Sequence, residues 1–123
     1  MKYPKKVSEH IVSWIDNYIN KSGVKGIVVG VSGGVDSALT STLCAETGQN
    51  VLCLEMPIYQ NKEQVSRSKK HIDWLKSKYT NVTSIQIELN KTFESFLSSI
   101  PNNSSDKHEP VSYTHLTLPT TAY

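Results

Sequence analysis

An open α/β sheet of parallel strands with flanking helices is the fold class this sequence predicts, and three observations carry it. Continuous apolar, valine-rich runs suited to buried strands ("KGIVVGV" at 25–31, "VLCLEM" at 51–56) alternate with amphipathic helical stretches. A glycine-rich turn, neither strand-like nor helical, separates the first run from the helix after it. The resulting order, helix–β–α–β–α–β–α, suits parallel strands joined by right-handed crossovers.

The elements follow in order. Val7, Ile11, Trp14, Ile15, Tyr18 and Ile19 recur at helical spacing, so residues 6–21 read as an amphipathic helix that Ser22-Gly23 ends. "KGIVVGV" is then a strand expected to be buried on both faces. Residues 36–47 form a helix closed by Gly48, and "VLCLEM" repeats the buried-strand pattern until Pro57, which has no N–H for the ladder. In the helix over 61–79, Val65, Ile72, Leu75 and Tyr79 share one stripe, with Lys62, Arg67, Lys69 and Lys70 mostly off it on a solvated outer face. His71 reads as solvated on the same polar side. "VTSIQIEL" (82–89) alternates as a third, more exposed strand, and 91–99 form a short helix carrying Phe93, Phe96 and Leu97. "PNNSSDKHEP" is a polar loop.

Bulk properties narrow the function classes. The 123 residues allow one small domain, and 37% hydrophobic with 20% charged residues suits a globular chain. A net charge of +2 gives no reason to expect nucleic acid or a membrane as partner. No apolar run nears the roughly 20 residues of a membrane span, and the basic start lacks the apolar core of a signal peptide. Cys44 and Cys53 form no C-x-x-C pair and read as small buried hydrophobes of a cytoplasmic protein. The four histidines are scattered, with no metal-ligand spacing.

The turn itself, Ser32-Gly33-Gly34-Val35-Asp36-Ser37, lies where an open α/β sheet binds its ligand, past the carboxyl end of the first strand. Glycines at 33 and 34 allow positive φ and close approach of backbone to ligand. Turn amides and the helix N-terminus together form an anion site, with Ser32 and Ser37 adding hydroxyl donors. The loop is neither G-x-x-x-x-G-K-[ST] nor G-x-G-x-x-G. It contains an acid, and a bare carboxylate beside phosphate is repulsive by about 4 kcal/mol at ~4 Å in an effective dielectric near 20. A bridging Mg²⁺ reverses that sign. The loop therefore points to Mg-pyrophosphate. The competing reading has Asp36 or Ser37 merely capping the helix, worth roughly 0.5–2 kcal/mol, which leaves the double glycine and flanking serines unexplained.

"SGGVDS" resembles the pyrophosphate loop of the N-type ATP pyrophosphatases, which cleave ATP between the α and β phosphates and adenylate a substrate. The wider run, from "VKGIVVGVSGGVDSALTSTLCAETGQNVLCLEMPIYQNKEQVSRSKKHIDWL", is similar to the NAD synthetase family, particularly its shorter, ammonia-using form, over residues 7–110. The resemblance implies an adenine nucleotide alpha hydrolase-like, Rossmann-like sheet truncated after about three strands, with the missing fourth strand pairing to the first. It implies that Gly30, Val31, Ser32, Gly33, Gly34, Val35, Asp36 and Ser37 hold ATP, and that Asp36 coordinates Mg²⁺. Met56-Pro57 fall at the adenine and ribose, and Gln60 matches a glutamine that helps bind ATP or is an ordinary loop residue. Glu55 departs from the arginine common there.

The implied reaction amidates deamido-NAD to NAD with ammonia through an adenylate, in a cytoplasmic homodimer, releasing AMP and pyrophosphate. No general base is named by these residues. Other adenylating ligases of the same loop type, GMP synthetase-like or tRNA-modifying, and a non-catalytic nucleotide-binding module are the alternatives. Residues 1–110 are thus expected to be the N-terminal part of such a domain. "VSYTHLTLPTTAY" (111–123) continues no helical or strand period, and its first ten residues are encoded by a transposon sequencing adapter (GTC TCT TAT ACA CAT CTG ACG CTG CCG ACG). It is expected to be a non-native tail, with the natural chain interrupted near Pro110.

Overall fold

The computed structural model describes residues 2–59 and 61–101. The proposed tail at 111–123 lies outside them. The elements run α1 (Pro4–Ser22), β1 (Ile27–Gly30), α2 (Val35–Glu46), β2 (Val51–Glu55), α3 (Lys62–Lys78), β3 (Val82–Gln86) and α4 (Asn90–Ser99). Each boundary has a local cause. Pro4 opens α1 in its first turn, and Gly23 ends it in the left-handed region at φ 70. Asn61 caps α3, its side chain accepting the Gln64 N–H at 2.8 Å. Pro57 follows closely on the end of β2.

The three strands form one parallel sheet in the order β1-β2-β3. In register, Val29 faces Cys53 and Cys53 faces Ser84. β3 is shorter than the 82–89 expected. Past Gln86 the chain still runs beside β2's exit, with the Ile87 N–H on the Glu55 carbonyl at 2.7 Å and the Leu89 N–H on the Pro57 carbonyl at 3.2 Å. Pro57 returns no N–H, so the ladder lapses.

One face of the sheet holds the core. Val29, Val31, Val51, Cys53 and Val82 pack there against Cys44 and Ala45 of α2 and against Ile72 and Leu75 of α3. α1 lies outside α2 and adds the partly buried Ile15. The opposite face has no second layer among the described residues. Val28 is 61% exposed and Ile85 49%, with Leu52 and Leu54 half-buried between them. The expectation that β1 is buried on both faces is therefore corrected: its apolar run has a helix layer on one side only. Its place at the sheet edge agrees with a fourth strand missing beside it. α1 likewise buries no residue fully, and Trp14 stacks on Tyr18 in the open.

Candidate functional site

The carboxyl ends of β1 and β2 bring the two predicted site segments to the same end of the sheet. Pairing extends one residue past β1, with the Val31 N–H on the Leu54 carbonyl at 2.8 Å, and the chain then turns through Ser32-Gly33-Gly34 into α2. Gly33 takes φ +93, and an added Cβ there would collide with the Gln64 carbonyl oxygen of α3. Gly34 has φ −88 and is the N-cap residue of α2. Only one of the two glycines thus needs left-handed backbone, a correction to the expectation for both.

The two serines hydrogen-bond within the loop. The Ser32 N–H donates to the Ser37 Oγ at 3.1 Å, and the Gly34 N–H donates to the Ser32 Oγ at 3.3 Å. Ser37 Oγ–H donates to the Gly34 carbonyl at 3.2 Å, and the two hydroxyl oxygens lie 3.2 Å apart. The hydroxyl oxygens therefore occupy loop amides that would otherwise go unpaired. A phosphate oxygen, being charged, is the stronger acceptor for the same amides.

The helix end is open. The Ala38 N–H to Gly34 carbonyl bond, 3.2 Å, is the first of α2, so the amides of Val35, Asp36 and Ser37 precede the helical ladder. Among the described residues no side chain caps them. The capping reading of Asp36 and Ser37 is thereby set aside: the Ser37 hydroxyl turns back to the loop, and Asp36 stands in the first turn, exposed. Its carboxylate has no hydrogen bond or ion pair among the described residues. Val35 is 80% exposed beside it. Met56, past β2, is also exposed, and Gln60 lies outside the described residues.

Around the site lie residues to which the sequence reading gave no site role. Glu55 is buried at the end of the central strand and accepts the Ser68 hydroxyl of α3 at 3.1 Å. Its place on the helix-covered face, not the loop side, gives it a structural partner. Arg67 reaches the loop, its Nε–H donating to the Gly33 carbonyl at 3.3 Å. Tyr59, at φ 49, ties the β2–α3 connection to α4: its N–H meets the Asn90 Oδ1 at 3.0 Å and its hydroxyl donates to the Glu94 carboxylate at 2.5 Å. The sequence signal for Arg67 was polarity at helical spacing, which solvated residues share; Glu55 stood out only as a departure from the arginine the resemblance implied, and nothing local marked Tyr59.

His71 is not solvated as expected. Its Nε2 lies 2.8 Å from the fully buried Ser41 Oγ, one turn along α2 from Ser37. The Ser41 hydroxyl also lies 2.7 Å from the Ser37 carbonyl. Burial pulls the His71 pKa down, opposed by a hydrogen bond to the Ala38 carbonyl. Burial pushes the Cys53 thiol up to about 11, with smaller contributions from Cys44 and Glu55, and raises Cys44 as well. Both cysteines are free and buried, so the reading as small hydrophobes holds and neither is an activated nucleophile.

A parallel sheet with a glycine turn, an open helix end and an unpartnered acid at its carboxyl edge defines a domain of the α/β nucleotide-binding fold. The chain belongs to the NAD synthase family, whose model matches residues 7–110. An NH(3)-dependent NAD(+) synthetase from Methanosarcina acetivorans is 38% identical over 104 residues, covering 81% of this chain and 39% of the relative. Among solved structures, an NH3-dependent NAD synthetase from Campylobacter jejuni superposes with TM-score 0.73 at 27% identity, covering 91% of this chain and 45% of that one. An NMN synthetase from Francisella tularensis gives TM-score 0.71 at 29% identity, covering 78% and 39%. The chain spans about two fifths of the length of the first curated relatives it matches, 39% and 41% for the first two.

Proposed function

We propose that this chain is the ATP-binding part of an ammonia-dependent NAD synthetase, an ATP-dependent carbon–nitrogen ligase. The supporting observation is the junction of the Ser32–Gly34 turn with the uncapped start of α2, in a family whose relatives carry that name. Gly30 to Ser37 hold the ATP phosphates, and Met56 and Gln60 border the nucleoside. The loop amides and the helix N-terminus stabilise negative charge on departing pyrophosphate. Ser32 and Ser37 surrender their amide partners to it and keep their hydroxyls as donors.

Mg²⁺ fits the donor set: one exposed, unpartnered carboxylate beside an anion site matches an ion held by one or two carboxylates and substrate phosphates. Asp36 would hold it, and the ion would supply neutralisation of phosphate charge. The reaction joins the nicotinate carboxylate oxygen of deamido-NAD to the α-phosphorus of ATP, expelling pyrophosphate. The ammonia nitrogen then attacks the acyl carbon and AMP leaves. Residues 1–110 form part of this domain, and 111–123 are a foreign tail. The two buried free thiols suit a cytoplasmic enzyme, and the whole enzyme is a homodimer. The likeness to an NMN synthetase supports a second reading, in which the product is the mononucleotide.

The test is to express these residues in frame with the downstream sequence of their gene and supply ATP, Mg²⁺, ammonia and either deamido-NAD or its mononucleotide counterpart. NAD formed with stoichiometric AMP and pyrophosphate is the expected result. NMN instead selects the second reading, and ADP with phosphate contradicts both.

A further inference from the structure

The basic run of α3 reads in sequence as a solvated face, yet its first half is fastened to the glycine loop at two adjacent points. The Gln64 carbonyl lies against Gly33, leaving no room for a Cβ. One turn further on, the Arg67 Nε–H donates to the Gly33 carbonyl at 3.3 Å. In the planar trans peptide between Gly33 and Gly34, a carbonyl held toward Arg67 sends the N–H the opposite way, to the Ser32 Oγ at 3.3 Å within the loop. Released, that plane is free to turn over and present an oxygen lone pair to a bound anion.

Only one of the five guanidinium donors is used on the carbonyl, and the planar fork suits phosphate oxygens. Lys62, Ser66 and Lys70 line the same open groove as Arg67, with Glu63 as the acid among them. Arg67, which holds the Gly33 carbonyl, thus also lines a groove of positive side chains.

We propose that Arg67 is a positioning residue for the glycine loop and also the first positive charge met by the terminal phosphates of a bound nucleoside triphosphate, so that the site holds polyphosphate in preference to monophosphate. This rests on the reading of the loop as the ATP site. Asp36 would act through a bound metal; Arg67 acts from the opposite element, through the Gly33 peptide and the phosphate tail.

The whole chain is titrated at submicromolar concentration with Mg-ATP, Mg-pyrophosphate and AMP, each competing against a fluorescent ATP analogue. Arg67→Ala is expected to weaken Mg-ATP and Mg-pyrophosphate about 10- to 100-fold, the range for a lost charge-assisted hydrogen bond, while AMP stays within about twofold. General loosening of the fold lowers all three together and leaves the ATP-to-AMP ratio unchanged. Arg67→Met, which keeps the aliphatic stem, carries the test where the alanine variant does not fold. An unchanged ratio in a folded variant overturns the role of Arg67 alone. A wild-type chain that binds neither Mg-ATP nor Mg-pyrophosphate overturns the ATP-site reading and this inference with it.

Discussion

Gly33 and Gly34 look equivalent in sequence and are not equivalent in space. Gly33 is left-handed and touches α3 backbone, whereas a Cβ on Gly34 would meet only the Ser32 Oγ at 3.4 Å. Gly33→Ala is therefore expected to lower stability by about 1–3 kcal/mol through backbone strain, with a further loss from displacing α3. Gly34→Ala, in an allowed conformation, is expected to cost well under that. Denaturant midpoints of the two variants check this, and equal losses would contradict the assignment. The loop was legible because glycines, serines and an acid between strand and helix are a local signal. Which glycine bends was not legible, because Gln64 arrives from 31 positions further along the chain. Arg67 was hidden for the same reason, its spacing on α3 matching that of the lysines around it.

At the level of elements, α2 and α3 are joined beneath the loop by His71 and Ser41. Because burial lowers the pKa of His71 below its ordinary 6.5, the unfolded chain binds its proton more readily than the folded one. The stability held by this histidine is complete above pH 6.5 and declines as pH falls through the window between that value and the lowered one. His71→Gln keeps a donor for Ser41 and does not titrate. Between about pH 7.5 and about 5, the wild-type denaturation midpoint is expected to fall more steeply than the variant's. Parallel curves would exclude His71 as the cause.

Element types and order agree with the sequence because the apolar periods are local and long. The ends of β1 and β3 moved by one to three residues where Pro57 and the bare edge withhold hydrogen bonds. The burial of β1 was not legible, since "IVVG" has the same composition whether covered on one face or two.

At the scale of the whole molecule, the sheet face and the edge of β1 that no described residue covers present apolar surface of the kind parallel sheets bury in most proteins. Those features favour self-association, so solution experiments belong at low concentration. The loop following β1 is read as an anion site made usable by a metal on Asp36. Equilibrium binding of ATP to the wild-type chain and to Asp36→Asn, each with and without Mg²⁺, tests it most directly. Asparagine preserves size and a side-chain oxygen while removing the charge. Wild type is expected to bind ATP more tightly when Mg²⁺ is present. In Asp36→Asn that gain is expected to disappear while helix content and metal-free affinity persist or improve, because a carboxylate repels bare phosphate. An equal Mg²⁺-dependent gain in both proteins would rule out a metal role for Asp36.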